Sequence, residues 1–185
     1  MKKVFVIVGA AGTGKTTVQA YLQAQYQIAK VITHTTRPAR AGEVDGVDYY
    51  FESPDSFQHL ELLEQVEYDH YQYGSSREAL ERAWQGHPAA VIVLDSQGAL
   101  TYCQQLGAQV VVIFLTVADP DILVQRLKMR GDDSQAIRSR INSQEFKRDL
   151  TLPDQLTDRA YVINNEDWTI TRQQLDRLVL RELVD

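Results

Sequence analysis

Apolar positions along this chain gather into short unbroken runs instead of strict alternation. The clearest are Val4-Phe5-Val6-Ile7-Val8, Ile28 to Thr33, Ala89 to Asp95, Gln109 to Thr116 and Ala160 to Ile163. Continuous runs of that length predict parallel strands covered on both faces. Between them the spacing turns helical. Helices are expected over Lys15 to Gln25, Ser96 to Leu106, Asp119-Pro120 through Met129, Ser134 to about Leu150, and Thr169 to Leu183. Gly107 is a C-cap candidate, and Asp119 followed by proline marks a helix start. Strands alternating with helices predict an α/β fold with a doubly wound parallel sheet and right-handed crossovers.

Two segments break the rhythm. Residues 34–88 are polar and rich in tyrosine (Tyr49, Tyr50, Tyr68, Tyr71, Tyr73), which reads as an inserted lobe of short strands and helices. Arg130-Gly131-Asp132-Asp133-Ser134 is a charged loop between two helices. One domain is expected, its core near 1–33, 89–129 and 150–185, its lobe near 34–88 and a helical lid near 130–149.

With 185 residues, 44% hydrophobic and 24% charged, the composition is that of a globular protein. A net charge of −6 argues against a general nucleic-acid or anionic-membrane binder, so any anion-binding arginines must be clustered locally. Cys103 is the lone cysteine, which excludes an internal disulfide and suits a reducing cytoplasm. The apolar run after Lys2-Lys3 reads as a strand and not as a secretory leader, and none approaches the ~20 residues of a membrane span.

Directly after the first run stands Gly9-Ala10-Ala11-Gly12-Thr13-Gly14-Lys15-Thr16, the pattern G-x-x-x-x-G-K-[ST] in a strand, loop, helix context. Glycines let backbone N–H groups turn inward around phosphate oxygens, and the helix adds its positive dipole end. Lys15 is placed to reach the β- and γ-phosphates, and the Thr16 hydroxyl suits Mg²⁺. The motif implies a nucleoside triphosphate site. Arg37 and Arg40 form a second cluster beside hydroxyl-bearing residues, and guanidinium forks bind phosphate bidentately. Read alone, that stretch is equally well a set of surface arginines paired with Glu43 and Asp45.

The motifs in order are the loop at 9–16, the block T-T-R-P-A-R-A-G-E-V-D-G-V-D-Y-Y-F at 35–51, Glu64 before Tyr73-Gly74-Ser75, Asp95-Ser96-Gln97-Gly98-Ala99, Arg126-Leu127 with Arg130-Gly131, Arg140, and Val162-Ile163-Asn164-Asn165. Together they resemble the guanylate kinase family of P-loop nucleoside monophosphate kinases. The resemblance implies transfer of a phosphoryl group from ATP to GMP or dGMP with Mg²⁺. It implies an ATP site of Gly9, Ala10, Ala11, Gly12, Thr13, Gly14, Lys15, Thr16, Thr17 and Asn164, with Thr16 on the metal. Arg37, Arg40, Tyr49 and Tyr73 would hold the GMP phosphate, and Thr33, Glu64, Ser75 and Asp95 would read guanine. Lys15, Arg126, Arg130 and Arg140 would surround the transferring group. The base assignments agree with the chemistry: a carboxylate accepts from guanine N1–H and the exocyclic amine, and hydroxyls donate to O6.

Two departures stand out. The family usually ends the strand before Gln-Gly with Asp-x-Asp, whereas this chain reads Val93-Leu94-Asp95. The loop between Arg130-Gly131 and Arg140 is also about one residue shorter. A sugar phosphate acceptor such as ribose 1,5-bisphosphate is the rival enzymatic reading, and Glu64, Tyr73 and Ser75 argue against it. A non-catalytic interaction module is the other, and the intact Gly9, Gly14, Lys15 and Thr16 argue against that.

Overall fold

A computed structural model describes residues 1–68 and 70–184. In chain order its elements are β1 (Lys3–Val8), α1 (Lys15–Tyr26), β2 (Ala29–Lys30), β3 (His34–Thr35), β4 (Tyr50–Phe51), α2 (Pro54–Gln58), β5 (Leu62–Tyr68), β6 (Tyr71–Ser76), α3 (Arg77–Trp84), β7 (Ala89–Val93), α4 (Ser96–Leu106), β8 (Val110–Thr116), α5 (Pro120–Met129), α6 (Ser134–Asn142), α7 (Gln144–Asp149), β9 (Ala160–Asn164) and α8 (Trp168–Val184). The larger sheet runs β2-β7-β1-β8-β9 and every pairing in it is parallel. A smaller sheet, β4-β3-β6-β5, is mixed and comes from the tyrosine-rich segment.

The unbroken apolar runs are explained by burial on both faces. Val4, Val6 and Val8 join Ala90, Ile92, Val112 and Phe114 in one core layer. Phe5 and Ile7 join Ala89, Val91, Val111, Ile113 and Leu115 in the other, under α1 and α8. β1 lies between β7 and β8, so the strand order reverses at its C-terminal end. A parallel sheet opens a crevice at that switch point, and the phosphate loop fills it.

Two expected elements differ from those observed. The run from Ile28 to Thr33 pairs only over Ala29–Lys30, with Val31 N–H reaching Val91 O at 2.9 Å. Beyond it the chain leaves the sheet edge, and His34–Thr35 pairs in the smaller sheet instead. The helix expected over 134–150 is two helices. Ser143 adopts ψ 154° and its hydroxyl accepts from Phe146 N–H at 3.1 Å, ending α6 and capping α7. Asp185, at the end of the expected core, lies outside the described residues. No helix among those described is long and apolar enough to cross a membrane.

Candidate active site

The loop after β1 takes its shape from glycine. Gly9 has φ +139° and Gly14 φ +94°, both in the left-handed half of backbone space. A Cβ on Gly14 would stand 2.4 Å from Asn165 Nδ2, and one on Gly9 2.3 Å from Leu115 O. Asn165 Nδ2 donates to Thr13 O at 2.7 Å, while its Oδ1 accepts from Thr171 Oγ1 at 2.9 Å. This buried amide ties the loop to α8. Lys15 Nζ donates to Gly9 O at 2.5 Å and Ala10 O at 3.0 Å, so the ammonium folds back over the loop. Burial lowers its pKa to about 8; Asp149 opposes that shift, and Arg140 and Arg130 add to it.

A cleft of about 570 Å³ opens over the loop, lined by Gly12, Gly14, Lys15, Thr16, Thr17, Arg126, Arg130 and Asn165 among others. Thr16 and Thr17 are exposed on the first turn of α1. Asn164 is not at this cleft: exposed, it accepts from Glu166 N–H at 3.1 Å, and its neighbour Asn165 faces the loop. Thr13 is buried, its hydroxyl donating to Ala10 O at 2.8 Å. Ala10 packs with Leu123 and Phe146 beneath the loop, and Ala11 lines the cleft.

A second cavity of about 390 Å³ lies between the two sheets, lined by Gly9, Lys15, Thr33, Tyr49, Glu64, Tyr73, Val93, Asp95 and Asp149 among others. Lys15 belongs to both spaces. In the second one, burial pushes the Glu64 carboxyl up to about 7 while its hydrogen bond from Ser75 pulls the other way and the nearby Asp95 adds to the rise. Ser75 Oγ donates to Glu64 Oε1 at 2.9 Å and accepts from Tyr102 OH at 2.7 Å. Ser75 is fully buried, and its one hydroxyl proton is committed to Glu64, so it reaches a ligand only through that carboxylate. Asp95 caps α4 through Gly98 N–H at 2.7 Å and accepts from Arg148 Nη2 at 2.8 Å.

The arginines are held by named acids. Arg37, buried, makes two 2.9 Å bonds to Glu43 and lies 5.5 Å from the Tyr49 ring centre. Glu43 also accepts from Arg40 N–H at 2.7 Å, while the Arg40 side chain is exposed. Tyr49 and Tyr73 meet edge to face at 6.2 Å. Arg126 donates to Asn165 O at 2.7 Å and weakly to Gly12 O at 3.4 Å. Arg130 and Arg140 share Asp132, and Arg130 holds that carboxyl below the usual range. One acid thus gathers a cation that caps the end of α5 and another from α6.

The model for the guanylate kinase family matches residues 1–182. The chain belongs to the guanylate kinase family. A curated guanylate kinase from Thermus thermophilus is 37% identical over 150 residues, covering 78% of this chain and 68% of that one. One from Chlamydia muridarum is 34% identical over 188 residues, covering 98% and 89%. The crystal structure of guanylate kinase from Anaplasma phagocytophilum matches with TM-score 0.64 at 26% identity, over 100% of this chain and 87% of that one. An unliganded sugar kinase from Janibacter shares the fold at TM-score 0.53 and 15% identity.

Within this family frame, the sequence gives no role to Tyr102, Asp132 or Asn165, whereas Glu43 stands in it as a partner for the arginines and does pair with Arg37. The Asp132 signal was its place beside Arg130 in the charged loop. Tyr102 carried none, because a tyrosine inside a helix reads as core until its hydroxyl partner is known.

Proposed function

We infer that this protein transfers the γ-phosphoryl group of ATP to GMP, giving ADP and GDP. The observation that carries this is Lys15, whose side chain borders both the cleft over the phosphate loop and the cavity bearing Glu64. A donor tail in the first and a monophosphate in the second would meet at that ammonium. Phosphoryl transfer needs positioning and neutralised charge more than covalent help, and this arrangement suits it.

On this reading Lys15, Arg126, Arg130 and Arg140 neutralise the transferring group, and backbone N–H groups of 9–17 hold the donor phosphates. Asn165 takes the donor-side place expected of Asn164. Arg37, Arg40, Tyr49 and Tyr73 hold the acceptor phosphate, with Arg37 leaving or sharing its Glu43 partner. Glu64 accepts from guanine N1–H and the exocyclic amine, Thr33 and Asp95 flank the base, and Ser75 fixes Glu64. Adenine presents the opposite polarity at those edges and would leave a buried carboxylate unpaired.

Mg²⁺ fits the residues present. The exposed Thr16 hydroxyl is a hard oxygen donor beside Lys15, and no group of three or more acidic, histidine or cysteine residues able to cage a metal occurs among the described residues. Mg²⁺ prefers few protein ligands, with phosphate and water completing its shell. It would supply charge neutralisation and orientation of the donor phosphates. A free Cys103 and the absence of a spanning helix suit work in the cytoplasm.

An ADP-release assay over GMP, dGMP, AMP, UMP and ribose 1,5-bisphosphate tests the reading. Turnover with GMP and dGMP is expected. Turnover confined to the sugar phosphate would reject it, and calorimetry showing no ATP binding with Mg²⁺ would reject catalysis altogether.

A further inference from the structure

A buried imidazole spans the place where the chain passes between the two sheets. The chain leaves the larger sheet after Val31, enters the smaller one at His34, and returns through Ser76, the last residue of β6 and the N-cap of α3. α3 belongs to the core, where Ala79, Leu80 and Ala83 pack with Val4 and Ala90. His34 lies between these crossings and is only 6% exposed. Its Nε2 stands 2.9 Å from Ser76 Oγ and its Nδ1 2.8 Å from Glu52 Oε1. A carboxylate only accepts, so Nδ1–H donates to Glu52 and Nε2 accepts the Ser76 hydroxyl proton. Ser76 Oγ in turn accepts from Ala79 N–H at 3.0 Å, and Glu52 Oε2 accepts from Ser56 Oγ at 2.6 Å. The ring packs on Tyr50 with centroids 4.9 Å apart.

Serine, imidazole and carboxylate in that order are also the arrangement of an acyl-transfer nucleophile. Here the serine is only 2% exposed and its hydroxyl caps α3. Neither Ser76 nor His34 lines either cavity, so a substrate has no approach from them. What the three residues share is their neighbours. Thr33, just before His34, lines the cavity bearing Glu64, as do Tyr73 and Gly74. Ser75, just before Ser76, bonds Glu64 itself, and Phe51, just before Glu52, lies 5.9 Å from the Arg37 guanidinium. Toward the core, backbone pairing of β3 with β6 stops at His34 and Gly74, and the side-chain bond to Ser76 joins the crossings beyond that point.

We propose that His34 is a positioning residue for the acceptor, a buried pin that sets the smaller sheet against the core. It joins the outgoing crossing to the returning one and both to the end of β4. Without it, the wall carrying Thr33, Glu64 and Tyr73 loses its fixed place opposite Lys15, while the phosphate loop keeps its own tie to α8 through Asn165. This rests on the reading that the cavity bearing Glu64 takes GMP.

Steady-state kinetics, calorimetry with ATP and Mg²⁺, and thermal denaturation of His34→Phe, Glu52→Ala and the double variant test it. Phenylalanine keeps a ring against Tyr50 and loses both hydrogen bonds. KM for GMP is expected to rise about tenfold in His34→Phe and about threefold in Glu52→Ala, with kcat and ATP affinity within about twofold of wild type. The double variant should match His34→Phe, because removing the imidazole already releases Glu52. A KM for GMP within about twofold of wild type in both single variants overturns the proposal. So does ATP affinity falling in step with it, as general loosening would produce, or a double variant whose losses multiply. Should His34→Phe fail to fold, Glu52→Ala, at a partly exposed position, decides by the same criteria. Wild-type protein that does not phosphorylate GMP would instead overturn the reading on which this depends.

Discussion

Ser75 Oγ donates to Glu64 Oε1 at 2.9 Å from a position with no exposed surface. The carboxylate at the cavity wall is therefore aimed from beneath by a hydroxyl that cannot itself reach a ligand. The geometry separates the group that would read the base from the group that steadies it. Glu64→Gln keeps the shape but replaces an acceptor by an amide donor. Its preference for GMP over AMP should fall by about a hundredfold, read as the ratio of kcat/KM values.

The same carboxyl predicts a pH dependence. With its pKa raised to about 7 by burial, Glu64 is ionised above that value and neutral below it. Only the ionised form accepts from both guanine donors, so kcat/KM for GMP should fall as pH drops below about 7. Stability runs the other way. A carboxyl whose folded pKa lies above its unfolded value of 4.5 favours the fold fully below 4.5, and that contribution is lost as pH rises through 7. Urea titrations and pH–rate profiles check both, and Glu64→Gln should flatten each.

Tyr102→Phe removes one oxygen from a fully buried ring and leaves Ser75 free to turn its proton away from Glu64. KM for GMP should rise about fivefold with kcat nearly unchanged, the loss of about one hydrogen bond. A fall in kcat at constant KM would contradict a role confined to acceptor binding.

If the proposed role holds, Lys15→Ala should lower kcat by about a thousandfold while the fold survives, because the side chain would serve as a charge at the phosphates and is absent from the apolar core clusters. Circular dichroism and turnover measured on one preparation decide this. The depressed pKa of about 8 adds that kcat/KM for ATP should decline above pH 8 as the ammonium loses its proton.

Gly14→Ala forces a Cβ to within 2.4 Å of Asn165 Nδ2 at a φ of +94°. The amide must leave Thr13 O, which loosens the tie between the loop and α8. A loss of about 2 kcal/mol of stability is expected, with ATP affinity reduced well beyond what that loss explains. Urea unfolding and calorimetry measure the two separately.

Arg37→Ala should raise KM for GMP about tenfold, since a fork held by Glu43 at 2.9 Å is already oriented. Normal GMP kinetics in this variant would remove Arg37 from the acceptor site. The pairing also shows why sequence left that stretch open: an arginine clamped by a nearby acid and one awaiting phosphate look alike in one dimension.

The chain's order of residues determined the parallel sheet, the phosphate loop and most helices, because each depends on local pattern. Uninterrupted apolar runs demand cover on both faces, and Gly9 and Gly14 occupy backbone angles that other residues resist. Ser143 was the local signal that went unread, and it split one expected helix into two. The tertiary structure alone decided which distant groups share a wall. Asp149 reaches the cavity wall that Val93 also lines from 56 positions later in the chain, Tyr102 bonds the Ser75 hydroxyl that donates to Glu64, and Asn165 bonds the phosphate loop at Thr13 O. Burial, field and hydrogen-bond partner are properties of three-dimensional neighbours, and a crossover topology chooses those neighbours without leaving a periodic mark in the sequence.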